Sequence, residues 1–223
     1  MQQIDTLQAV VFDMDGVIFD SERCVQDCWG IVARHFGITD MEQTFYSCLG
    51  TNMDRTREII LEVYGNDFPF DKFLGEVSQL YHSRYDGGRL PMKPGVKDLL
   101  QYLTDHGKQI ALASSTRSQV VVPQLQEAGI LPFFHQVVCG DMVSRSKPAP
   151  DIFLKACEKL GVLPQNACAI EDSYNGIRSA SAGGLRPIMV PDMLPANDEM
   201  LSLAEAVLPD LLAVIRYLQC PAD

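Results

Sequence analysis

Five short apolar runs, each ending in small or acidic residues, constrain the fold of this chain more than any other feature. They are Leu7 to Phe12, Gln109 to Ala113, Gln136 to Cys139, Ala167 to Ile170 and Arg186 to Val190. Runs of this length suit strands buried on both faces. Between most of them the apolar spacing turns helical. Val96, Leu99, Leu100 and Leu103 form one stripe; Ile152, Phe153, Ala156, Cys157 and Leu160 form another. Strand and helix in alternation predict an α/β fold, a Rossmann-like parallel sheet covered by helices.

One block breaks the alternation. From about Ser21 to Tyr85 the spacing reads as consecutive helices: Ser21–Phe36, Asp40–Ser47, Met53–Tyr64 and Asp71–Tyr85. Turn signals at Gly37, Gly50-Thr51 and Gly65-Asn66-Asp67 divide them. The run Asp86-Gly87-Gly88-Arg89-Leu90-Pro91 then returns the chain to the α/β pattern. The expected organisation is a core from residues 1–19 and 91–223, interrupted by an all-helical cap over 20–90. Hinges are expected near Phe19–Ser21 and Asp86–Pro94.

Charge and cysteine content narrow the classes of partner. The formal net charge of −11 argues against a nucleic-acid partner, because holding a phosphate backbone takes clustered Lys and Arg. An anionic small substrate would need a local reversal of that field, by a metal ion or a few placed cations. Seven cysteines at irregular spacing, with no Cys-x-x-Cys, fit free thiols in a reducing compartment. Cys24 and Cys28 share a helix face, but no second pair completes a zinc site. The first residues carry no basic group ahead of their apolar run, unlike a secretory signal. No apolar stretch approaches the ~18 residues of a membrane span. A cytoplasmic monomer with no membrane or nucleic-acid partner is the expectation.

Four segments carry chemistry. The first strand ends in Asp13-Met14-Asp15-Gly16. Ligands of open α/β sheets bind beyond the carboxyl ends of strands, and two carboxylates there divide labour between nucleophile and proton shuttle. As plain turn residues, Asp and Gly also suit any strand end. The second segment runs from Ala113 into Ser114-Ser115-Thr116, where hydroxyls and backbone N–H groups suit a phosphoryl oxygen or, more simply, a helix N-cap. In the third, Ser146-Lys147-Pro148-Ala149-Pro150, prolines hold a lysine ahead of a helix starting near Asp151. The fourth, Ile170-Glu171-Asp172-Ser173, again joins an apolar strand to adjacent acids, hard oxygen ligands of the kind Mg²⁺ takes.

The joint order of acid pair, hydroxyl, lysine and acid pair resembles the haloacid dehalogenase superfamily over nearly the whole chain. DMDGV, ASST, SKPAPDIF and EDSYNG match its four motifs. The helical insertion resembles the cap of the subgroup containing β-phosphoglucomutase and many small phosphatases. The resemblance implies Asp13 as nucleophile and Asp15 as general acid and base, with Ser114 and Lys147 holding the transferring phosphoryl group. It implies a Mg²⁺ site from Asp13, the Asp15 carbonyl, Glu171 and Asp172. Ser115 and Thr116 are expected at the substrate, with Gly50, Thr51, Asn52 and Arg55 selecting it from the cap. Tyr174 and Arg117 are expected at the rim.

The implied activity is a phosphatase for a small phosphorylated metabolite, such as a sugar phosphate. Dehalogenases of the superfamily lack an acid corresponding to Asp15, and a phosphonate hydrolase needs an early cap lysine, whereas no lysine precedes Lys72. The rival is a phosphomutase similar to β-phosphoglucomutase. Where that enzyme's cap carries a histidine and an arginine, this chain has Val25 and Met53, with Arg55 and Arg57 near enough to compensate. A non-catalytic binding module is the third reading, disfavoured because every motif acid is present.

Overall fold

The computed structural model describes residues 3–49 and 53–221. The chain divides into two compact units, Ser21–Pro91 and, discontinuously, Met1–Asp20 with Met92–Asp223.

The smaller unit is helical. Its helices are α1 (Ser21–His35), α2 (Met41–Cys48), α3 (Met53–Tyr64) and α4 (Phe70–Tyr85). Their apolar faces meet around Trp29, which stacks edge-on against Phe45 at 5.2 Å and Phe73 at 5.3 Å. Phe36 and Phe68 close the same aromatic cluster on Phe73. Arg57 of α3 pairs with Asp71 of α4 and lies over the Phe70 ring, which ties the two helices together.

In the larger unit, six strands among the described residues form one parallel sheet. They are β1 (Ala9–Phe12), β2 (Gln109–Ser114), β3 (Gln136–Cys139), β4 (Ala167–Glu171), β5 (Arg186–Met189) and β6 (Ala206–Val207). The order is β3-β2-β1-β4-β5-β6, so β1 is central and Phe12 lies opposite both Leu112 and Ile170. The helices of this unit are α5 (Val96–Asp105), α6 (Ser118–Glu127), α7 (Asp151–Leu160), α8 (Tyr174–Ala182), α9 (Asp198–Leu203) and α10 (Leu211–Gln219).

Side-chain alternation explains how the faces are covered. On one face, Ala9, Val11, Ala111, Ala113, Ala167 and Ala169 present small residues, and α7 lays Phe153, Ala156 and Cys157 onto them. The stripe of α5, Val96, Leu99, Leu100 and Leu103, is fully buried, and α5 packs on β2 and α10. The α/β class and the helical insertion are as the apolar spacing predicts. Several bounds shift by a residue, β5 ending at Met189, and the strands differ in further details. β1 begins at Ala9, because Gln3–Thr6 forms a 3₁₀ turn ahead of it. β2 and β4 each run one residue beyond their apolar runs, to Ser114 and Glu171. β6 is a two-residue strand, too short to carry any alternation. None of the described helices is long and apolar enough to cross a membrane.

Candidate active site

The carboxyl ends of β1, β2 and β4 lie side by side, and the chain delivers a polar side chain at each. Asp13 follows β1; its N–H still donates to Ile170 O at 2.9 Å, so the ladder holds the residue in register with β4. The chain then turns back on itself, with Met14 O accepting from Ile18 N and Phe19 N. Gly16 has φ +79°, and a Cβ there would stand 2.3 Å from Asp172 Oδ2. Only glycine lets Asp172 approach this turn.

Ser114 ends β2, fully buried, and its Oγ accepts from Thr116 N at 3.1 Å. Thr116 Oγ1 in turn donates to Asp15 Oδ2 at 3.0 Å. Lys147 arrives on the loop ahead of α7, which Ser179 of α8 holds by donating to Ala149 O at 2.7 Å. The lysine Nζ donates to Asp13 Oδ1 at 2.5 Å and to Glu171 Oε1 at 2.6 Å. Its side chain is 7 % exposed, and Nζ lies 4.9 Å from the centre of the Phe153 ring. Glu171 Oε2 accepts from Asp172 N, Ser173 N and Ser173 Oγ, each at 2.9 Å.

Electrostatics follow from this burial. Desolvation drives the Asp13 carboxyl up from 3.8 to about 8; Lys147 opposes the rise, and Glu171 and Asp15 add to it. For Lys147, burial disfavours the ammonium, but the charges of Asp13 and Glu171 outweigh it and hold the group above its ordinary value. The lysine is therefore a fixed cation.

One ammonium does not balance three carboxylates. Asp13, Glu171 and Asp172 are all buried, and each offers an oxygen within 4.8 Å of the others. This all-oxygen donor set, with negative charge in excess of Lys147, fits a hard divalent cation. Glu171 gives it least, since Oε2 already accepts three hydrogen bonds and Oε1 takes Lys147.

Of the residues singled out from sequence, the fold brings Asp13, Asp15, Ser114, Thr116, Lys147, Glu171 and Asp172 to one end of the sheet. Ser115 is exposed and lines a surface pocket with Arg117, Ser118, Gln119 and Asp141. Tyr174 is tied down, its hydroxyl donating to Pro195 O at 2.7 Å. Arg55 lies along α3, donating to Glu58 at 2.8 Å and Glu62 at 3.4 Å. Gly50, Thr51 and Asn52 lie outside the described residues. All seven cysteines are free, and burial pushes Cys139 and Cys157 up to about 11, away from thiolate chemistry. Ser173 lies in the fourth motif but is given no role from sequence, yet it braces Glu171. Its signal is the N-cap spacing Ser173-x-x-Gly176, with Gly176 N donating to Ser173 Oγ at 3.1 Å.

A family model for haloacid dehalogenase-like hydrolases matches residues 10–190. The chain belongs to this family. A phosphorylated carbohydrates phosphatase of Thermotoga maritima is 29 % identical over 182 residues, 82 % of this chain and 84 % of that protein. Among solved structures, a HAD family hydrolase of Deinococcus radiodurans R1 with bound phosphate and sodium has a TM-score of 0.80. It is 25 % identical, over 97 % of this chain and 99 % of that one. A β-phosphoglucomutase of Clostridium difficile gives 0.69 at 26 % identity, over 92 % of each chain. For a haloacid dehalogenase-like hydrolase, the acids at the ends of β1 and β4 and the lysine between them form the natural candidate for the reacting centre.

Proposed function

We propose that this hydrolase is a Mg²⁺-dependent phosphatase of a small phosphorylated metabolite, a sugar phosphate in the first instance. The observation that carries the reading is the buried cluster in which Lys147 bridges Asp13 and Glu171, with Asp172 beside them and Asp15, two residues after Asp13, hydrogen-bonded to Thr116. The larger unit acts as the catalytic core and the helical unit as the cap.

Each group has a role in this reading. Asp13 is the nucleophile: a carboxylate oxygen forms a bond to phosphorus as the ester oxygen departs. Asp15 gives its proton to that oxygen. As a carboxylate it then takes a proton from water, which attacks phosphorus, releases phosphate and regenerates Asp13. Ser114 and Lys147 hold the phosphoryl oxygens, Lys147 as a point charge. Asp13, Asp172 and the Asp15 carbonyl, with Glu171 alongside, are the groups to hold Mg²⁺. Bound there, the ion supplies positive charge toward the phosphoryl oxygens and keeps Asp13 ionised. By the family resemblance, Ser115, Gly50, Thr51, Asn52 and Arg55 are the candidate selectors of the substrate.

The choice of acceptor separates this reading from a phosphomutase. Holding a sugar phosphate for transfer back needs an available cap cation. Arg57 pairs with Asp71 and lies over Phe70, and Val25 and Met53 stand where the cap of β-phosphoglucomutase carries a histidine and an arginine, which favours water as acceptor. The similarity to the phosphorylated carbohydrates phosphatase of Thermotoga maritima supports a phosphatase as well. With Mg²⁺ and a sugar phosphate, the protein is expected to release inorganic phosphate stoichiometrically with the free sugar. Conversion of β-glucose 1-phosphate to glucose 6-phosphate, faster than phosphate appears, would replace this reading with the mutase.

A further inference from the structure

The hydrogen bond between Thr116 and Asp15 joins two loops that belong to different strands. Asp15 lies in the turn after β1, and Thr116 two residues beyond the end of β2. A hydroxyl that donates to one carboxylate oxygen, Oδ2, fixes how the acid presents its other oxygen.

The threonine is itself held from several sides. Its N–H donates to Ser114 Oγ at 3.1 Å, and its carbonyl accepts from Gly140 N at 3.0 Å. Two residues on, Ser118 donates to Asp141 through its N–H at 2.9 Å and its hydroxyl at 2.6 Å. The hydroxyl and backbone bonds of Ser118 hold the Asp141 carboxyl below its ordinary value, so this brace is ionised at neutral pH. Gly140 passes so close to the loop that a Cβ there would lie 2.1 Å from Ser115 O. Four bonds and a close backbone approach thus seat one hydroxyl against one carboxylate.

We propose that Thr116 is the positioning residue for the general acid and base Asp15, and that Gly140 and Asp141, at the end of β3, are its support. This rests on the phosphatase reading above. It assigns Thr116 to proton transfer, where the motif alone assigns it to the substrate. The distinction has a chemical signature. An alcohol leaves from phosphorus only when protonated, whereas nitrophenolate leaves unprotonated. A displaced Asp15 therefore harms alkyl esters far more than activated aryl esters, and kcat/KM reports this step because it ends with departure of the leaving group.

The test compares kcat/KM for glucose 6-phosphate and for p-nitrophenyl phosphate, with Mg²⁺, in the full chain. Thr116→Val is expected to lower the alkyl value roughly ten- to hundredfold and the aryl value by much less. Thr116→Ser, which keeps the donor, is expected to recover both. Gly140→Ala reaches the same loop from its other side and should give the same leaving-group signature, which keeps the proposal testable if Thr116→Val folds poorly. Equal losses on both esters, through KM, would make Thr116 a substrate contact and overturn the proposal, as would no loss on either. Asp13→Asn in parallel separates the two readings: an active Asp13→Asn enzyme sinks the phosphatase mechanism, whereas an inactive one with unselective Thr116 variants sinks this proposal alone.

Discussion

At the scale of single residues the site turns on one carboxyl with competing demands. In the proposed mechanism Asp13 attacks phosphorus as a carboxylate, yet burial lifts it from 3.8 to about 8 against the pull of Lys147. A folded-state value above the unfolded one means that, between those limits, the native chain holds a proton the unfolded chain has lost. Unfolding free energy then falls as pH rises through that window. The metal-free protein is therefore expected to lose thermal stability between about pH 5 and about pH 8, with Asp13→Asn much flatter. Added Mg²⁺ should stabilise more at the upper end, where its ligands are ionised. Parallel melting temperatures for wild type and Asp13→Asn across that range in excess chelator would contradict this. At the same scale, Asp13, Asp15 and Asp172 are legible in the sequence because an acid at the end of an apolar run has few places to go, and Lys147 because prolines fix it ahead of α7. The pairing of Thr116 with Asp15 is not. Ser114, Ser115 and Thr116 are neighbouring hydroxyls, and only the turn braced by Gly140 decides which one faces the acid.

Elements deliver these residues, and their ends matter more than their middles. The step from β4 to α8 is the clearest case. Glu171 is the last residue of the strand, and Ser173 caps the helix while its hydroxyl donates to Glu171 Oε2 at 2.9 Å. Ser173→Ala removes both, an expected loss of about 1–2 kcal/mol. Urea unfolding should show a lower midpoint with an unchanged slope. The Glu171 brace on Lys147 would loosen as well, so turnover should fall too. An unchanged midpoint would show that neither bond contributes. Long amphipathic stretches such as α5 and α7 can be read from their stripes, and the helical block from its turn signals. β6 cannot, because two residues define no period, and strand ends at Ser114 and Glu171 escape a rule that looks for apolar runs.

For the whole molecule, sheet order turns scattered motifs into a site. With β1 in the middle and β2 and β4 on its flanks, residues more than a hundred positions apart meet at the carboxyl end of the sheet. Under the proposed function, this is how a chain of net charge −11 would receive an anion: Lys147 and an ion held by the acids would reverse the field locally. In the proposed mechanism phosphorus passes through Asp13 on its way to water. The stereochemical course at phosphorus tests it most directly, using a chirally labelled phosphate monoester hydrolysed in isotopically labelled water. Two successive in-line displacements, onto Asp13 and then onto water, predict retention of configuration; inversion would mean that water attacks directly and that Asp13 never carries the phosphoryl group.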